Sequence, residues 1–306
     1  MFRYILRRLI QAALVLVGVS VITFLLSYAL PADPARMIAG RSATPETVEK
    51  IRHELGLDRP LPVQYFNYAW GLLHGDMGRS YVQKTEVTTL LKSRLPATIQ
   101  LAVAGILFEL ILALPLGIIA ALRKGKLTDQ LTMVFAFFGV SAPQFALGLI
   151  LLYFFGYRLS LVPLGGYGTL KHIILPGLTI GITGAGWYAR VMRSSMLEVL
   201  SQQYIRTAKA KGVSKWAVVT KHALRNAILP IIAMIGLDIG IFMSGVVVVE
   251  SVFAWPGIGQ MAWQAIQLVD IPVIMGVVTV AAVAIVIGNL LADLVYPFLD
   301  PRIEYR

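Results

Sequence analysis

Cysteine is absent from the chain, which excludes a disulfide, a thiolate metal site and a thiol nucleophile. Histidine is nearly absent: His53, His74, His172 and His222 share no spacing, so no metal-ligating pattern exists and the expected metal ligands are none. Charge is scarce too, at 14% of residues, where a soluble domain carries about 25%. Gly-x-x-x-x-Gly-Lys-Ser/Thr is missing: Gly125-Lys126 is followed by Leu127 in the hydroxyl position, and no Gly lies six residues before Lys126. The chain therefore has no ordinary cradle for ATP. Nor does it contain the paired groups that a serine or aspartate hydrolase within a membrane would need, so no catalytic residue is assigned.

What fills the space is apolar. Of 306 residues 57% are hydrophobic, and the mean hydropathy is +0.74, values of an integral membrane protein. Six runs reach the roughly 20 residues that a helix needs to cross a bilayer: Leu9–Leu30, Pro96–Leu122, Leu131–Phe155, Ile173–Met192, Ala227–Val249 and Pro272–Tyr296. The first is too long for a signal-peptide core, and no small-x-small site precedes Pro31, so it reads as a retained span.

The net charge of +11 is unevenly spread. Arg3, Arg7 and Arg8 precede the first run, and Arg123, Lys124 and Lys126 follow the second. Arg190, Arg193, Arg206, Lys209, Lys211, Lys215, Lys221 and Arg225 crowd the stretch after the fourth, against the single acid Glu198. The short alternate loops hold only Arg158 and Lys171. The positive-inside rule then places both termini in the cytoplasm. A soluble basic protein would suggest nucleic acid, but no groove-reading or stacking scaffold accompanies these charges. The expected organisation is an N-terminal span at 1–30, an external insertion at 31–95, a five-helix core at 96–297 with a cytoplasmic loop at 197–226, and a cytoplasmic tail at 298–306. Within the insertion Thr44 is placed to cap a helix opening at Pro45 and stopped by Gly56. A second, amphipathic run over 63–73 puts Tyr65, Tyr68, Ala69 and Leu72 on one face.

The stretch Tyr204–Pro230, YIRTAKAKGVSKWAVVTKHALRNAILP, is composed for a partner. Its pattern predicts a short basic helix over Tyr204–Lys211, a turn at Gly212, and a second helical run capped by Ser214. Arg206-Thr207-Ala208 with Gly212 resembles the E-A-A-x-x-x-G loop of permease subunits of ATP-binding-cassette importers. The words YIRTAKAKG, HALRN, ILP, FAWPGIGQ, HIILPGLT, LGLDRPLPVQY and GDMGRS are similar to its dipeptide, oligopeptide and nickel branch. Two positions depart from the general motif. Arg206 and Thr207 replace its acid and first Ala, and its Ile-x-Leu-Pro ending is displaced to Ile228-Leu229-Pro230, both the usual form in that branch.

The resemblance implies an all-α, six-helix type I importer permease in a bacterial inner membrane, non-catalytic and without its own cofactor. ATP and Mg would sit in two separate ATPase subunits, beside a second homologous permease and an external substrate-binding protein. Tyr204, Ile205, Arg206, Thr207, Ala208, Lys209, Ala210, Lys211 and Gly212 would couple to the ATPase, with Tyr204, Ile205 and Ala208 making the buried contacts. Trp255, Pro256 and Gly257 would face the binding protein, Trp255 and Trp263 being suited to the membrane interface. Ionisable groups inside spans should face a cavity or a partner. Asp238 is thus a pathway-lining candidate or a structural hydrogen-bonding group, Glu109 is a weaker case of the same kind, and Asp293, near the inner end, anchors packing or pairs with a basic residue. Ser141 and Gln144 flank Pro143, which either breaks the third span to line a pathway or merely kinks it. The expected cargo is a short peptide, with nickel (or a metal chelate) or glutathione as the alternative. Of a different class are a proton-coupled carrier using Glu109, Asp238 or Asp293, and a membrane-embedded enzyme.

Overall fold

The computed structural model describes residues 2–29, 33–40 and 42–299, with side chains for 6–27, 33–40 and 42–291. Asp293 and the tail at 300–306 therefore fall outside the described side chains. Every element among the described residues is helical, apart from one isolated bridge between Arg79 and Glu86.

Helix α1 (Phe2–Ala29) carries Arg3, Arg7 and Arg8 in its first turns and is mainly apolar from Leu9 onward. Three short helices follow: α2 (Pro34–Ala39), α3 (Pro45–Glu54) and α4 (Leu61–Leu73). The caps match the local chemistry. Ala35 N donates to Asp33 Oδ1 at 3.1 Å, Thr47 N donates to Thr44 Oγ1 at 3.3 Å, and Gly56 leaves α3 at φ +64°. On α4 the predicted face is the covered one: Tyr65, Tyr68, Ala69 and Leu72 are half-buried while Phe66, Trp70 and Leu73 are exposed. Tyr65 meets Phe24 of α1 edge-on at 5.4 Å between ring centres, and its hydroxyl lies 2.9 Å from Ser20 Oγ.

Helix α5 (Val87–Leu122) begins nine residues before the expected start, because it runs through Pro96. Buried Val87 and Leu91 anchor the turns before the proline and Ala97 and Leu101 those after it, so packing holds the helix across the lost ladder bond. Its main neighbour is α8 (Leu170–Leu200), and the pair is joined through small residues. Gly105 lies under Ile180, Gly177 and Gly181 lie under Phe108, and Gly117 lies under Met192, where an added Cβ would collide. Small residues let membrane helices approach in this way.

Between α5 and α8 the chain makes α6 (Leu127–Ser141) and α7 (Gln144–Leu151), the latter continuing as a π-helical turn through Arg158. The two halves meet at 101°, so the predicted third span is sharply folded at Ala142-Pro143, beyond a simple kink. After α8 come α9 (Gln203–Ala210), α10 (Lys215–Ala217), a π-helical turn over Val218–Ala223, and α11 (Leu224–Ala227). Helix α12 (Leu229–Met243) is bent 49° from that run. It is shorter than the predicted fifth span, since Gly245 turns at φ +97° and α13 (Val247–Val252) starts anew. Helices α14 (Ile258–Gln267) and α15 (Ile271–Leu299) complete the fold.

Among the described residues three helices are long and apolar enough to cross a membrane, or up to five if each bent pair counts as one span. Helix α8 has the length, 31 residues, but dilutes its apolar character with glycines and charges. Packing separates two ends. At one, Val87, Ile258, Met261 and Val273 form a core, and Asp270 clasps the 80–82 turn. Ser80 Oγ donates to Asp270 Oδ2, and Tyr81 N donates to Oδ1 at 3.0 Å. At the other end Met192, Met196, Val218, Val219 and Ala223 form a second core beneath the basic stretch.

Candidate functional site

At the basic end, α8 stops at Leu200 and α9 packs against the π-helical turn over Val218–Ala223, its sequence alternating small apolar and cationic residues. Ile205 is fully buried and Ala208 is 8% exposed, both sealed into the core with Met196, Val218 and Ala223. This corrects the expected role of these two: they hold the helix to its own chain and cannot be the contact made with another subunit. The periodicity forces it, since a helix three residues per face has one side for the permease and one for a partner. The outward side carries Arg206, Thr207, Lys209, Ala210 and Lys211, all exposed. Tyr204 is 41% exposed, and its hydroxyl accepts from Asn226 Nδ2 at 2.7 Å, tying α9 to α11.

Gly212 sits at φ +76° with open space where a Cβ would go. Its requirement is therefore conformational, not steric. Ser214 caps the next run as predicted, accepting from Ala217 N at 3.3 Å. Trp216 beside it is 75% exposed, a large aromatic at the same surface that charge pattern alone did not single out. Not all eight cations are unpaired. Arg193 makes a two-pronged bond to buried Asp129 at 2.6 and 2.7 Å, joining α8 to the first turn of α6.

Midway along the helices lies a polar centre. Tyr188 on α8 donates its hydroxyl to Asp238 Oδ2 on α12, and Glu109 on α5 stands within hydrogen-bonding reach of Asp238. Glu109 is 3% exposed, Tyr188 is buried, and Asp238 is half-buried. Tyr188 was invisible as a partner in the sequence because it comes fifty residues before Asp238. Ser141 is exposed at the fold between α6 and α7; Gln144 is half-buried and donates from Nε2 to Thr183 Oγ1 at 3.3 Å.

The segment Val252–Gln260 departs from expectation. Trp255 is 1% exposed, donates its indole Nε1–H to Ala97 O at 2.8 Å, and meets Tyr167 edge-on at 5.0 Å. Gly257 is buried against the Glu250 carboxylate, leaving no room for a Cβ, and Pro256 is half-buried. Neither Trp255 nor Gly257 is available to a binding protein, and Trp255 is not an interface residue, whereas Trp263 is 50% exposed. The reason is local: Ala254 takes φ +49° and turns Trp255 inward, and fully buried Glu250 organises the glycines by accepting from Gln260 N at 2.7 Å.

A helical membrane protein that turns an exposed basic helix outward at one end offers that surface to another molecule. The comparisons agree. Residues 113–305 match the family model described as binding-protein-dependent transport system inner membrane component, and residues 1–102 match its N-terminal companion. The chain belongs to this family. It is 40% identical over 306 residues to the glutathione transport system permease protein GsiC of Salmonella typhimurium, and 39% identical to GsiC of Escherichia coli, with 100% of each chain covered. A chain of the MetNI methionine ABC transporter, solved in inward-facing conformations, superposes with TM-score 0.57 at 16% identity, covering 69% of this chain and 96% of that one. The protein is thus a multi-pass inner-membrane permease subunit of an ABC importer, non-catalytic, with ATP hydrolysis assigned to separate ATPase subunits.

Proposed function

We propose that this chain forms half of the translocation pathway of an importer for short peptides, glutathione among them. The observation that carries the reading is the full-length similarity to glutathione permeases, glutathione being itself a tripeptide. The basic end faces the cytoplasm, giving six spans with α8 as the fourth, and the α2–α4 layer lies outside. A second, homologous permease completes the pathway, two ATPase subunits hold ATP and Mg, and a binding protein delivers cargo. In this chain no cofactor is required.

Coupling runs through α9. Arg206, Thr207, Lys209, Ala210 and Lys211 meet an ATPase surface, their charge steering the encounter. Ile205 and Ala208, packed beneath, pass the displacement to α8 and α12 as a rigid-body movement. Ser141, Gln144 and Asp238 line the pathway, where the fold at Ala142-Pro143 interrupts a span inside protein instead of lipid.

The test is uptake of labelled glutathione by cells lacking their own importer and supplied with this chain and its neighbouring subunits. Uptake competed by glutathione and short peptides, lost on ATP depletion and kept when the proton gradient collapses, is expected. Uptake that survives ATP depletion, or that peptides fail to compete, overturns the reading.

A further inference from the structure

Glu109 is a deeply buried acid of the spans, and its surroundings are built to receive it. Its carboxyl fills the space above Gly184, where even one added carbon would overlap it. Yet Oε2 has no hydrogen-bond partner. The neighbour within reach is another acid, Asp238, which already accepts from Tyr188. Cations do not resolve the pair. Beyond Lys92 and Arg94 in its first turns α5 contributes only Glu109 as a titratable group, α12 only Asp238, and the described part of α15 (271–291) none. Helix α8 supplies Tyr188; its Arg193 is engaged by Asp129, and exposed Arg190 lies over the Trp187 ring at 5.7 Å.

We propose that Glu109 and Asp238 form a proton-binding site in the middle of the permease, holding one proton between two carboxyls. Two adjacent carboxylates, one of them enclosed by protein and the other half-buried, repel strongly. A single proton converts that repulsion into a short, charge-assisted hydrogen bond. The arrangement also assigns the proton. Asp238 takes the Tyr188 hydroxyl as one donor and is the acceptor and anion; Glu109, whose oxygen lacks a partner, carries the proton and donates it. The site thereby fastens α5, α8 and α12 together halfway through the bilayer by one titratable atom. It is independent of which cargo is carried.

The test uses the purified transporter assembly in lipid nanodiscs, compared by infrared difference spectroscopy with the same assembly carrying Glu109→Gln. One protonated-carboxyl C=O band per chain should be present at neutral pH and vanish in the variant. Glu109→Gln should keep uptake within about twofold of the parent, since its amide donates to Asp238 in the proton's place, whereas Glu109→Ala leaves Asp238 short of a donor and loses more. Parent uptake should fall as alkaline pH removes the band, and Glu109→Gln should escape that fall. Absence of a Glu109-dependent band overturns the proposal, as does a sodium requirement abolished by Glu109→Gln, which would mean a metal cation between two carboxylates. The spectrum needs no transported substrate, so a wrong cargo would show as absent parent uptake with the band intact.

Discussion

Two segments of this chain look equally made for partners, and they are built in opposite ways. The basic helix Gln203–Ala210 turns a thin apolar edge to its own core and leaves its cations outside. The segment Val252–Gln260 does the reverse: its aromatic and glycine residues are swallowed by the fold, where Trp255, Phe253 and Ile258 rank among the largest fully buried side chains. Both are family phrases. What separates them is the cost of burial. Arg and Lys are almost never enclosed without a partner, whereas Trp and Gly contribute most when enclosed and close-packed. A signature rich in cations addresses another molecule; one rich in aromatic and glycine residues around a buried acid addresses its own chain.

The sharpest way to break this contrast is to bury a charge under the basic helix. Ala208→Asp drives a carboxylate into the core beside Val218 and Ala223, and an unpaired buried charge costs about 3–5 kcal/mol. Thermal unfolding of the detergent-solubilised chain should show a large loss, with uptake lost alongside it. Next, Gly257→Ala pushes a methyl group into the Glu250 carboxylate and should cost about 1–3 kcal/mol as core overpacking does, lowering the amount of folded protein without touching any partner-facing group. Trp255→Phe keeps most of the packing and leaves the Ala97 carbonyl within its helix but without the indole donor, a loss of about 0.5–1.5 kcal/mol readable in the same unfolding assay. The smallest change in stability, within about 0.5 kcal/mol, belongs to the combined reversal Arg206→Glu, Lys209→Glu and Lys211→Glu. That variant should nevertheless lose uptake, and its association with the ATPase should lose the salt dependence of the parent. Normal uptake by the triple variant would dissolve the distinction between the two segments.

How much of this was legible beforehand follows the same line. Local signals translated well: Thr44 and Ser214 cap their helices, Gly56 and Gly212 turn at positive φ, and the four-residue face of α4 is the one that docks. Such features depend on neighbours a few residues away. Runs of apolar residues also located the long helices, though not their limits, because Pro96 is overridden by packing on both sides and Pro143 is not. The side chains that mattered through distant contacts were hidden. Glu250 organises Gly257 and Gly259, Arg193 reaches Asp129, and Tyr188 reaches Asp238, pairings that no period or spacing along the chain encodes. A buried acid among glycines, as at Glu250, is the one clue that composition could have offered.

The grip of Asp270 on the backbone at Tyr81 reaches across 189 positions of the chain. During synthesis the turn at 80–82 must wait for that carboxylate to leave the ribosome, roughly 10–40 seconds at about 5–20 residues per second. Its amides spend that interval with water or a helper protein, and only the arrival of the final helix closes the structure.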